Sequence, residues 1–166
     1  MDVTQITKTI VGIVALSIIL SGGTIPDKWF DMFGSVSEKD MRDLGGMMVK
    51  ENGDNGDKCL LLTGSVALNR LYSNNWSGNT IEEVIRAKGQ YARTTVRDFQ
   101  KVKIPERTKM LTKYLLIFGP ICPSNVVYQG QKVNGKGIKD PKTGKIIHVY
   151  ERIEVPGQKD ELFCYE

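Results

Sequence analysis

The 166-residue sequence is poor in the residues that build common metal and nucleophile sites, with one histidine and three cysteines. Cys59, Cys122 and Cys164 form no CxxC pair, and no second histidine stands at metal-ligand spacing from His148. The sequence therefore predicts no metal site and no cofactor. A Ser-His or Cys-His hydrolase would depend on His148, whose apolar neighbours instead indicate a half-exposed histidine in a β-strand.

Repeats and low-complexity tracts are also missing, and the composition of 40% hydrophobic and 25% charged residues is typical of one globular domain. The net charge of +4 comes from the second half, where residues 101–166 contain 12 Lys/Arg against 7 Asp/Glu. Such an excess favours polyanionic surroundings, which include nucleic acid, anionic lipid and cell wall. Because the basic residues are mostly loop lysines without interleaved aromatic residues, we expect no nucleic-acid partner.

The longest hydrophobic run, residues 10–20 (IVGIVALSIIL), lies near the N-terminus and is followed by the small residues Ser21, Gly22 and Gly23. It is shorter than the ~20 residues of a membrane-spanning helix and is typical of the core of a signal peptide. We therefore predict that residues 1–23 are a signal peptide or a membrane anchor that directs export. Whether the segment is cleaved or retained in contact with the membrane stays open, and a buried core helix is the alternative.

Helical spacing of apolar residues dominates the chain up to Pro120, whereas short β-type runs separated by glycines follow Pro123. The predicted helices begin near Ser37, Lys58, Thr80 and Pro105. After a linker at 24–36, we expect a mainly helical α+β domain over residues 37–166, with a small Gly-rich β-hairpin region at its C-terminal end.

Glu51 is the most informative acidic residue, because its position follows Leu44 by seven residues and Met48 by three. It therefore falls on the apolar face of the first predicted helix, at the end of that helix. A carboxyl group that is partly buried, or that lies in a cleft, has a raised pKa. Asp54 and Asp57 follow in a Gly-rich stretch that is typical of a turn and a helix cap.

Three short motifs follow Glu51 in order: residues 66–70 (VALNR), 79–85 (NTIEEVI) and 89–91 (GQY). Later pieces of the same pattern are Gly119-Pro120, residues 125–128 (NVVY) and residues 163–165 (FCY). In order and spacing these motifs resemble the spore-cortex-lytic (SleB-type) cell-wall hydrolase family, over about residues 40 to 130 and more loosely in the tail. Two departures are Asn52-Gly53-Asp54 directly after Glu51, and Tyr91 where the family usually has Phe.

The resemblance implies a lysozyme-like fold and cleavage of peptidoglycan glycan strands between N-acetylmuramic acid and N-acetylglucosamine. It also implies that Glu51 is the catalytic acid. The side chains that we expect to hydrogen-bond to the sugars or stack on them are Gln90, Tyr91, Trp76, Tyr128 and Asn69. Asn69 stands next to Arg70 at the end of a helix, where an arginine also complements the helix dipole.

The nucleophile is left open by the sequence. A lytic transglycosylase needs no second acid, because the 6-hydroxyl of the muramic acid attacks its own anomeric carbon. The family resemblance and the lack of an obvious second carboxylate both favour this version. A muramidase that uses water would need a second carboxylate, for which Asp54 or Asp57 is the candidate. The alternative from a different class is a non-catalytic, membrane-tethered module that binds the cell wall or has a structural role.

Overall fold

The computed structural model describes residues 2–53, 55–76, 78–87, 91, 99, 101–131, 139 and 143–166. Within these residues the chain forms helices first and a small sheet last, which agrees with the predicted α+β class. The helices are α1 (Val3–Leu20), α2 (Asp27–Asp31), α3 (Glu38–Asn52), α4 (Gly56–Tyr72), α5 (Ile81–Arg86) and α6 (Glu106–Phe118). The strands are β1 (Val126–Gln131), β2 (Val149–Ile153) and β3 (Glu161–Tyr165).

Helix α4 is the centre of the domain, and every residue from Cys59 to Arg70 is buried. Apolar side chains on all its faces allow it to pack at once against α3, α6 and the sheet. The hydroxyl groups of Thr63 and Ser65 donate to the carbonyls one turn earlier, those of Cys59 and Leu61, so these polar groups are paired inside the core.

The helix starts are local features and agree with the prediction from sequence. Ser37 caps α3 by accepting a hydrogen bond from the Asp40 amide at 3.0 Å. Thr80 caps α5 by accepting from the Glu83 amide at 3.2 Å, as the capping-box spacing predicts.

The region expected to be a hairpin is a three-stranded antiparallel sheet in the order β1-β3-β2. Its last strand, β3, is the central one, and Leu162, Phe163 and Cys164 in it are all buried. Because water cannot reach a buried strand, its backbone N–H and C=O groups need hydrogen-bond partners on both edges, and the two neighbouring strands supply them. In the register, Gln131 of β1 and Ile153 of β2 both lie opposite Glu161. The first residue of β3 is thereby fixed from both sides.

The segment 24–36, predicted as a linker, contains α2, whose Phe30 lies in the main hydrophobic core. Phe30 packs near Phe118 of α6, with ring centroids 6.2 Å apart. The segment is therefore not an unstructured linker, because an aromatic side chain of its short helix packs in the core of the domain.

Helix α1 is longer than the apolar run from which it was predicted. With 18 residues and a mean hydropathy of 1.9, the helix is long and apolar enough to cross a membrane. A signal sequence has the same properties. One face, with Gly12, Ala15 and Ile19, packs on the domain, and the Tyr114 hydroxyl donates to the Gly12 carbonyl. The opposite face exposes Ile10 and Ile13. An N-terminal apolar helix is thus present, as expected for a signal peptide or an anchor.

Gly64 of α4 lies in close contact with side chains of both α3 and α6. A Cβ atom at this position would lie 2.9 Å from the Met48 sulfur and would also collide with Leu115. The absence of a side chain therefore sets the spacing of three helices.

We expect Gly64→Ala to lower the free energy of unfolding by about 1–3 kcal/mol, since the core must shift to accept the methyl group. Urea denaturation followed by circular dichroism measures the change. Tyr72→Ala, at a side chain that is 66% exposed in the same helix, is the control and should change stability by less than about 0.5 kcal/mol. An unchanged midpoint for Gly64→Ala would contradict the close packing.

Candidate active site

A cleft of about 240 Å³ opens where the ends of α3 and α4 meet the edge of the sheet. It is the cavity that contains the acid singled out by the sequence. Its lining residues are Glu51, Arg70, Tyr91, Gln129, Gly130, Gln131 and Glu161. Two carboxylates, one guanidinium and two primary amides therefore converge on one small space.

Glu51 is half-buried and is the second-last residue of α3. The helix end is held in place by Asn52, whose side-chain amide donates to the Thr63 hydroxyl of α4 at 2.8 Å. Asn55 in turn donates to the side-chain oxygen of Asn52 at 2.8 Å. Because these bonds fix the last turn of α3 against the central helix, the Glu51 side chain is directed into the cleft by a rigid support.

The pKa of Glu51 is raised above its ordinary value of 4.5. Burial is the largest cause, because a partly dehydrated site disfavours the ionised form. The negative charge of Glu161 adds to the rise, and the positive charge of Arg70 opposes it. The raised pKa agrees with what the helix phase predicted for this residue.

Glu161 is a second carboxylate in the cleft, and the sequence did not point to it. It is 5% exposed, and its Oε1 atom accepts a hydrogen bond from the Gln131 side-chain amide at 3.0 Å. The apolar β-type run at this end of the chain is residues 162–165 (LFCY), and the acidic Glu161 precedes it. The available signal was the two-residue period, because Glu161 shares a face of β3 with the buried Phe163.

Arg70 is buried at the end of α4, with 3% of its surface exposed. Its Nε group donates to the Val127 carbonyl at 2.7 Å, which joins α4 to β1. The guanidinium carbon lies 4.5 Å from the ring centroid of Trp76 and 5.1 Å from that of Tyr91, so two aromatic rings flank the cation. Among the described residues its Nη1 atom has no hydrogen-bond partner. Arg70 therefore does more than complement the dipole of α4.

Of the three aromatic residues expected to contact the sugars, Trp76 and Tyr91 flank Arg70, and only Tyr91 lines the cleft. Tyr91 is 8% exposed, and burial raises the pKa of its hydroxyl, against the influence of the Arg70 charge. Trp76 lies against Arg70 and makes an edge-to-face contact with Tyr128, with ring centroids 5.5 Å apart. Trp76 thus supports the guanidinium, Tyr128 contacts Trp76, and neither residue lines the cleft.

Asn69 does not line the cleft. Its side-chain amide donates to the carbonyls of Pro123 and Val126, at 2.8 and 3.0 Å, and so fastens the start of β1 to α4. Gln90, the remaining predicted sugar-binding residue, lies outside the described residues, as does Asp54. Asp57 accepts a hydrogen bond from the Arg107 Nε group at 2.9 Å and does not line the cleft.

Within the described part of the chain, no group of three or more His, Cys, Asp or Glu side chains is arranged to hold a metal ion. His148 is exposed and directly precedes β2, so it lies outside the strand predicted for it, and its ring stacks on Tyr165 with ring centroids 5.8 Å apart. The chemistry available in the cleft is therefore that of two carboxylates with amide and guanidinium donors.

No known protein-family model matches the sequence, and no curated protein or solved structure shows significant similarity to it. Support for a function comes from the cleft and from the motifs of the sequence.

The raised pKa of Glu51 predicts a pH-dependent contribution to stability. As the pH rises from 4.5 through the raised pKa, the unfolded chain has already lost the proton that the folded protein still holds. The free energy of unfolding of the wild type therefore decreases across this pH range. Glu51→Gln has no titrating carboxyl group at this position and lacks this decrease. We expect the stability of Glu51→Gln relative to wild type to increase with pH across this range.

Urea titrations at several pH values measure this difference. Glu154→Gln, at an exposed glutamate outside the cleft, is the matched control and should show no such trend. A relative stability of Glu51→Gln that decreases with pH would show that the folded protein favours the ionised carboxylate.

Proposed function

We propose that the protein cleaves the glycan strands of peptidoglycan between N-acetylmuramic acid and N-acetylglucosamine, with Glu51 as the general acid. The observation that carries this proposal is a half-buried glutamic acid with a raised pKa, held in a cleft lined by amides and a guanidinium. Breaking a glycosidic bond requires a proton for the leaving oxygen. A carboxylic acid supplies this proton near neutral pH only if its surroundings keep it protonated.

The rest of the cleft is suited to a sugar that carries amide groups. Gln129 has a buried side-chain oxygen without a hydrogen-bond partner among the described residues, and the Nη1 group of Arg70 is in the same condition. The first can accept a hydrogen bond from an N-acetyl N–H or a hydroxyl, and the second can donate to a carbonyl or carboxylate oxygen. Buried polar groups that lack partners carry a free-energy cost that a bound ligand removes.

The sequence motifs support the same function. The resemblance to the spore-cortex-lytic cell-wall hydrolases gives Glu51 the position of that family's acid, at the end of a helix. In this proposal the domain is lysozyme-like: a mainly helical body carries the acid, and a small antiparallel sheet forms the opposite wall of the cleft. Helix α4, buried along most of its length, is the common support of both walls.

The expectation of a lytic transglycosylase depended in part on the lack of an obvious second carboxylate. Neither aspartate considered for that role is available as a described member of the cleft. Glu161 does line it, however, so the number of carboxylates no longer favours the transglycosylase over a muramidase.

The proposed substrate lies outside the cytoplasmic membrane, and α1 is the segment that would direct export. Ile10 and Ile13 are exposed on its outer face, at 56% and 61%, so changing them does not disturb the packing of α1 on the domain. We expect the double variant Ile10→Arg/Ile13→Arg to remain in the cytoplasm, because each arginine costs about 2.5–3.5 kcal/mol during membrane insertion.

Fractionation of bacteria that express the full chain measures export, and Thr7→Ala on the same helix is the control. A wild-type chain found soluble and unprocessed in the cytoplasm would contradict the export proposal.

Glu51→Gln tests the acid. The substitution keeps the size of the side chain and removes the transferable proton, so the release of muropeptides from purified sacculi should fall by about 10²–10⁴-fold. Liquid chromatography with mass spectrometry of the soluble products gives the rate, and Glu154→Gln should retain wild-type activity. Full activity in Glu51→Gln would refute the assignment of the acid. A wild type that binds sacculi but releases nothing would instead indicate the non-catalytic wall-binding module.

A further inference from the structure

A second buried carboxylate in the same cleft requires an explanation, because an ionised group removed from water is costly unless it is compensated. Among the described residues Glu161 makes no ion pair with a lysine or arginine within 4.0 Å. Its hydrogen bond from Gln131 uses one acceptor site of a group that has about four. The described part of the chain contains no other donor to this carboxylate, which leaves acceptor sites for a water molecule in the cleft.

We propose that Glu161 is the second catalytic carboxylate, which activates water and makes the reaction a hydrolysis rather than an internal transglycosylation. This inference rests on the proposed function and names the group that decides its products. It depends on the shared cleft, on the burial of Glu161 and on its fixed place in the sheet. No aspartate of the turn after α3 takes part.

The position of Glu161 is well suited to this role. It begins the central strand, and Gln131 and Ile153 lie opposite it on the two neighbouring strands. Its carboxylate is therefore held by a backbone that is paired on both edges, and the Gln131 amide orients it. Glu51 belongs to a helix on the other wall, so the two carboxylates belong to different structural elements and line the same cleft. Glycosidases that use a pair of carboxylates place them on opposite sides of the scissile bond.

In the proposed step, the oxygen of a water molecule forms a bond to the anomeric carbon of N-acetylmuramic acid while Glu161 takes one proton from that water. The bond between the anomeric carbon and the bridging oxygen breaks, and Glu51 donates its proton to that oxygen. One water is consumed, and nothing is oxidised or reduced. The products are a reducing N-acetylmuramic acid end and a free hydroxyl on N-acetylglucosamine. Proton exchange with solvent then restores both carboxyl groups.

The primary test uses wild-type protein and purified sacculi in water enriched in ¹⁸O. Hydrolysis gives reducing muramic ends that carry one ¹⁸O atom, whereas transglycosylation gives 1,6-anhydromuramic ends without label. Mass spectrometry distinguishes the two products directly. This arm needs no variant, so it remains decisive even if a substitution in the central strand prevents folding.

The second test replaces Glu161 itself. Glu161→Gln retains the side-chain oxygen that accepts from Gln131, and we expect muropeptide release to fall by about 10²–10⁴-fold while binding to sacculi is kept. In Glu161→Ala, added formate or azide should restore part of the activity, because a small anion can take the place of a missing base or nucleophile. A purely structural role for Glu161 would show no such rescue. Asp160→Asn, at an acid that pairs with Arg152 outside the cleft, is the control and should remain active.

The outcomes separate this inference from the proposed function. Labelled reducing ends, with an inactive and rescuable Glu161 variant, support the role of Glu161. Unlabelled anhydro ends, or full activity in Glu161→Gln, would overturn it and leave glycan cleavage by Glu51 intact. If the wild type releases no fragment of either kind from sacculi, the proposed function itself fails.

Discussion

Arg70 carries a full positive charge in a place that water hardly reaches, and the surrounding architecture can be understood as compensation for that charge. The Val127 carbonyl and two aromatic faces stabilise the guanidinium, and Glu51 supplies opposite charge within electrostatic range. The Arg70 charge favours the ionised form of Glu51 and so opposes the rise in its pKa that burial and Glu161 cause. The buried arginine therefore offsets part of the electrostatic cost of placing Glu51 beside a second carboxylate.

The polar residues in the second half of α4 explain how a helix packed among apolar side chains also holds a sheet and a loop. Ser65 accepts from the Ile121 amide at 3.0 Å, and Asn69 and Arg70 bind successive carbonyls of β1. In the first half of the helix, Thr63 receives the Asn52 amide and so fixes the end of α3. Both walls of the cleft thus take their positions from one helix, and hydrogen bonds rather than shape alone define the alignment.

The sequence predicts features that depend on residues close together in the chain, and it does not predict features that depend on contacts between distant residues. Helix starts and the phase of Glu51 depend on residues within a few turns of one another, and the structure agrees with them. The role of Glu161 depends on which strand lies in the centre, which is decided by packing between distant parts of the chain. Asn69 illustrates the same limit, because an amide at a helix end gives no local sign of whether it faces a ligand or a neighbouring strand.

The strand order also has a consequence for the timing of activity. Strands β1 and β2 do not pair with each other and are joined only through β3, which is made after both. A nascent chain that already contains a folded helical body therefore still lacks one wall of the cleft, together with Glu161. Glu161 takes its place in the cleft through the pairing of residues 161–165 with β1 and β2. In the proposed reaction, the second carboxylate therefore joins the first only after the strand that carries it has been synthesised and has paired with both neighbours.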